Sequence, residues 1–139
     1  MFRIIFSLIA QYWKTIIWFI IVFLLSTMQM SNVPKSPLFA LPHFDKIVHF
    51  TMYFVAVTLW QTDYYKTKTE LPTNIVFRIL LSTIAYGLLM ELIQKYLIQN
   101  RSGDFFDALA NTAGVLFAFI LFRYFLHYRK LIVRILKLI

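Results

Sequence analysis

Three short blocks hold most of the side chains able to do acid–base or anion chemistry: Asp45-Lys46-Ile47-Val48-His49 with Tyr53, then Glu91-Leu92-Ile93-Gln94, then Arg101-x-x-Asp104-x-x-Asp107-x-x-x-Asn111. Asp45, His49 and Tyr53 recur every four residues and so share one helix face, while Glu91 and Gln94 are one turn apart. His49 as general base, Asp45 orienting it and Glu91 as acid or metal ligand form the candidate catalytic group, and carboxylates with one imidazole could suit zinc or manganese. Lys46 and Arg101 can meet phosphate, Arg101 through two parallel hydrogen bonds. Asp107, Glu91, Gln94 and Asn111 can hold those cations and meet sugar or amide groups, and the candidate binding set is Lys46, His49, Glu91, Gln94, Arg101, Asp104, Asp107 and Asn111.

Plainer roles stand beside these. Asp45 and Asp104 occupy positions where helix N-caps stand, and Asp104 with Asp107 has the spacing of a capping box. His49 can be an interfacial histidine bonded to Asp45. Gln94 and Asn111 can serve only to tie helices together. The sequence has no cysteine, no His-Glu-x-x-His pair, no Gly-x-Ser-x-Gly elbow and no glycine-rich phosphate loop, so no metal or cofactor is expected.

What must position these residues is apolar. Of 139 residues 60% are hydrophobic and 14% charged, which excludes a water-soluble globule. A membrane-spanning helix needs about 20 mostly apolar residues. The sequence predicts four, over about 4–28, 46–64, 75–98 and 104–126, within a single domain covering 1–139. Pro34, Pro37 and Pro42 make the first connection extended. A cleaved leader is not expected, because no small-x-small site follows at Ser26, Thr27 and Met28. The fold class expected is an all-α integral membrane protein, a four-helix transmembrane bundle.

Four of the six acidic residues fall in the three blocks, and the other two, Asp63 and Glu70, are expected in the opposite loop. Of fourteen Lys and Arg, four (Lys35, Lys46, Lys95 and Arg101) lie on the side of the blocks and ten on the other. Short cytoplasmic loops carry the basic excess, so both termini are expected in the cytoplasm and the polar blocks outside. The formal net charge of +8 is accordingly assigned to membrane lipids as partners, with no nucleic acid expected. Lys130, Arg134 and Lys137 share a helix face, which predicts a basic amphipathic C-terminal tail lying in the interface.

Taken together, the three blocks in this order, each at the end of an apolar helix, resemble the VanZ-like family. The resemblance implies a small multi-pass protein of the bacterial cytoplasmic membrane, linked to resistance against glycopeptides such as teicoplanin, without an established reaction. The function expected is recognition of an envelope lipid or peptidoglycan-precursor headgroup at the outer face, or a change in its accessibility. The alternative is an intramembrane hydrolase or transferase acting on a lipid-linked phosphate or ester. A third reading makes the polar set a buried network that fixes helix register.

Overall fold

In the computed structural model, which describes residues 2–28, 42–99 and 103–136, four helices follow one another: α1 (Phe2–Thr27), α2 (Phe44–Lys68), α3 (Thr73–Leu97) and α4 (Phe105–Leu136). Among the described residues there is no strand. Stretches of α1, α3 and α4, namely Ile5–Thr27, Thr73–Leu97 and Phe105–Tyr128, are long and apolar enough to cross a membrane. Four such helices are predicted above, and α2 is the one that differs. Its 25 residues are long enough, at about 38 Å, but Asp45, Lys46, His49, Gln61, Asp63, Lys66 and Lys68 make it too polar.

The polarity of α2 is tolerated because this helix touches all three others. Its enclosed apolar residues Tyr53 and Val57 join Ile79 and Val76 from α3 and Val115 and Ala118 from α4 in the core. Cross-helix contacts fix the direction of every element. Thr15 bonds Asp63 and Trp18 bonds Met52, so α1 and α2 are antiparallel. Phe19 meets Tyr86 and Ser26 meets Gln94, so α3 runs parallel to α1. Lys46 meets Asp107 and Phe50 meets Phe117, so α4 runs parallel to α2. The result is an up-down-up-down bundle in which the first residues of α2 and α4 and the last turns of α3 share one end.

A glycine sets how closely α2 and α4 approach. A Cβ at Gly114 would overlap the Phe50 carbonyl oxygen, an approach only glycine permits. That approach brings the start of α4 against the start of α2. At the other end Arg123 donates to the Leu71 carbonyl (3.4 Å) and the Thr73 hydroxyl (3.2 Å), holding the α2–α3 turn.

Two expectations are corrected at the other end of the bundle. Asp63 is not in a loop: α2 continues to Lys68, one turn past its predicted end, and Asp63 is buried against α1. It accepts from the Thr15 backbone N–H (3.3 Å) and hydroxyl (2.8 Å). These donors face Asp63 because α1 leaves helical geometry at Tyr12 (φ −110°, ψ 17°). A break in a helix leaves the next turn's N–H groups without i−4 partners, and the Asp63 carboxylate caps the new start. The second correction concerns the tail. α4 is one continuous helix to Leu136, so residues 127–136 continue the fourth helix. Of the predicted cationic face, Lys130 and Arg134 fall within α4, and Lys137 lies outside the described residues.

Candidate functional site

At the shared end of α2, α3 and α4 the polar blocks converge. Lys46, in the first turn of α2, points its ammonium at three carboxylates: Asp45 Oδ2 (2.9 Å), Asp104 Oδ2 (3.0 Å) and Asp107 Oδ1 (2.9 Å). An ammonium has three N–H donors. All three are used within the protein, so Lys46 does not offer a free donor to phosphate as its sequence position suggests.

One turn further along α2, His49 faces both α3 and α4. Its Nδ1 is 3.1 Å from Asn111 Oδ1 and 3.6 Å from Glu91 Oε1, and its Nε2 is 3.8 Å from Asp107 Oδ2. Asn111 Nδ2 donates to Glu91 Oε1 (3.2 Å). With its amide nitrogen so engaged, the Asn111 oxygen accepts, which places the proton of a neutral His49 on Nδ1 and leaves Nε2 as an acceptor. The second Glu91 oxygen accepts from the Asp104 backbone N–H (3.3 Å). Glu91 and Asp107 are each only 8% exposed and Asn111 2%, so a polar chain of His49, Asn111 and Glu91 is enclosed between three helices.

Several predicted roles are reassigned by these contacts. Asp45 does not cap α2, whose N-cap is His43 in the left-handed region (φ 61°), and does not orient His49; its carboxylate goes to Lys46 instead. Asp104 does cap α4, accepting from the Phe106 N–H at 2.9 Å. It does not form a reciprocal box with Asp107, because its own N–H is taken by Glu91 and the Asp107 side chain by Lys46. Gln94 is buried but lies apart from the cluster, donating to the Ser26 carbonyl of α1 (3.0 Å). Arg101 lies outside the described residues.

Electrostatics at the rim follow from these bonds. Burial raises the Asp45 carboxyl, but the side-chain and backbone donors of Lys46 outweigh it and hold the group below the usual carboxylate range. The Phe106 N–H, with Lys46 second, holds Asp104 low as well. Among the described residues no set of three His, Asp or Glu side chains is arranged to hold a metal ion.

One contributor is absent from the predicted binding set. Tyr53 is 1% exposed, and its hydroxyl has no hydrogen-bond partner. The point that a Cβ on Gly87 would occupy is 3.1 Å from Tyr53 Cε1, 3.4 Å from its Cζ and 3.5 Å from Asn111 Cβ. The phenol ring therefore packs at Gly87, one turn before Glu91 in α3, a point that Asn111 of α4 also approaches. The four-residue spacing from His49 is the signal that points to it in the sequence.

An apolar helical bundle with three helices able to cross a membrane, and with buried carboxylates gathered at one end, defines a membrane-type helical protein built around an internal polar site. The VanZ/LLP1 family matches over residues 1–127, and the chain belongs to that family. No curated protein and no solved structure matches it.

Proposed function

We propose that this protein spans the bacterial cytoplasmic membrane four times, α2 included, and uses the polar end of the bundle to recognise the headgroup of an envelope lipid or peptidoglycan precursor at the outer face. Binding there alters what a glycopeptide such as teicoplanin can reach. The observation that carries this reading is the enclosure of Glu91, Asp107, Asn111 and His49 between three helices at one end of an apolar bundle. Ionisable groups in a membrane segment cost about 2.5–3.5 kcal/mol or more on insertion, and they face partners or wet cavities. The excess of Lys and Arg at the other end supports cytoplasmic termini.

The test is Glu91→Gln, which keeps shape and removes charge. Loss of glycopeptide tolerance at unchanged protein abundance is the expected result, and unchanged tolerance refutes the reading. The orientation is checked in intact cells with a single cysteine in place of Lys68, which should stay unlabelled by an impermeant maleimide; labelling turns the site to the cytoplasm.

A second reading is favoured by one feature, the Nε2 of His49, which Asn111 leaves as an acceptor. There His49 takes a proton from water as the oxygen attacks a lipid-linked phosphate or ester, and the departing oxygen regains a proton. A product from the purified chain with such a lipid, absent in His49→Gln, distinguishes this hydrolase from a binding protein.

A further inference from the structure

We propose that the facing Nε2 of His49 and Oδ2 of Asp107 together take a primary ammonium group, of the kind carried by a phosphatidylethanolamine headgroup. The inference rests on the headgroup-binding reading above and gives it a ligand class. The cationic side of the described cluster is already committed, since each donor of Lys46 meets a carboxylate at 2.9–3.0 Å. The charged side chains bonded within it are four carboxylates, Asp45, Glu91, Asp104 and Asp107, against one ammonium. Among the described residues of the cluster, carboxylates therefore outnumber the ammonium groups that can meet them.

The open positions are acceptors. In the tautomer that gives Nδ1–H to Asn111, His49 Nε2 presents a lone pair toward Asp107 Oδ2, 3.8 Å away. Two acceptors facing one another at that distance form no hydrogen bond. A donor seated about 2.9 Å from each, with two N–H groups to give, bridges them with ordinary geometry. A second observation points the same way. The Tyr53 hydroxyl, one turn further along α2 from His49, is enclosed and without a partner, and a donor entering the cluster can satisfy it through one water.

A primary ammonium carries three donors and a positive charge and satisfies all of these positions. A trimethylated ammonium has the charge but no N–H. A glycerol headgroup has hydroxyl donors but leaves its phosphate charge unbalanced against the carboxylates. The site therefore ranks the three headgroups, ethanolamine over choline and over glycerol.

The experiment uses the full chain in detergent with short-chain phosphatidylethanolamine, phosphatidylcholine and phosphatidylglycerol, and bound lipid is counted by native mass spectrometry. The expected result is about tenfold or more tighter retention of the ethanolamine lipid, the size of a charge-assisted hydrogen bond. Asp107→Asn should remove that advantage, and Glu70→Gln, at an exposed residue of the opposite end, should keep it. The headgroup series on the unaltered chain decides the matter even where Asp107→Asn does not fold. Preference for the glycerol lipid overturns the ammonium inference while leaving headgroup recognition standing. A preference for ethanolamine that survives in folded Asp107→Asn overturns the placement. Equal binding of all three lipids, unchanged by Glu91→Gln, removes both the inference and the reading beneath it.

Discussion

Replacing Lys46 by Met tests whether this lysine is an internal counter-ion or an outward-facing anchor. Its side chain is 23% exposed, and its three partners differ sharply: Asp45 is 58% exposed, Asp104 39% and Asp107 11%. At 2.9 Å and an effective dielectric constant near 20, the Lys46–Asp107 attraction is about 6 kcal/mol before desolvation offsets most of it. Removing one partner of a buried pair costs about 3–5 kcal/mol, and the partial exposure of Lys46 lowers this to about 2–3 kcal/mol. The pair with Asp45 is exposed and contributes about 0–1 kcal/mol. Lys46→Met should therefore destabilise the bundle by about 3 kcal/mol, mainly through an Asp107 left buried without its counter-charge. The double variant Lys46→Met/Asp107→Asn should recover about 2 kcal/mol of that loss, whereas Lys46→Met/Asp45→Asn should recover less than about 0.5 kcal/mol. Equilibrium unfolding of the full chain in mixed micelles measures all three. Equal recovery by Asp45→Asn and Asp107→Asn, or no loss in Lys46→Met, refutes the assignment of Lys46 as the counter-ion of Asp107.

Two predictions concern the rest of the bundle. Thr15→Val keeps shape but removes the shorter of the two bonds to Asp63, and should cost about 1.5–3 kcal/mol, the range for a hydrogen bond to a charged group; the same unfolding measurement showing no loss means Asp63 does not hold α1. Gln61 is fully enclosed, with neither amide atom hydrogen-bonded, so Gln61→Met should stabilise by about 1–3 kcal/mol, and a loss of stability instead means that an internal water satisfies the amide.

Helix period and the position of polar residues at helix ends are enough to bring Lys46, His49, Glu91, Asp107 and Asn111 together from the sequence. The apolar runs place α3 and the start of α4 within about two residues, the usual uncertainty of helix ends. Partner choice inside the cluster is not legible, because it depends on helix rotation. Asp45 and Asn111 are both spaced to meet His49, and the close α2–α4 contact at Gly114 is what brings Asn111 to it. The kink at Tyr12 has no glycine or proline to announce it, so the burial of Asp63 could not be read from a pattern that places it near a helix end. The continuation of α4 past residue 126 was hidden by the basic residues there, which suit a stop signal and an interfacial helix equally well.

The attachment of α1 has a consequence for biogenesis. Most of its surface is apolar and outward-facing, and in lipid such a surface gains little by leaving the hydrocarbon for a protein neighbour. Hydrogen bonds among the described residues join it to the rest at Thr15 with Asp63, Trp18 with Met52, Tyr86 with Phe19 and Gln94 with Ser26. Each needs a partner from α2 or α3, neither of which has been made when α1 leaves the ribosome. Its attachment can therefore begin only once α2 supplies Asp63 and Met52, and is complete only when α3 adds Tyr86 and Gln94.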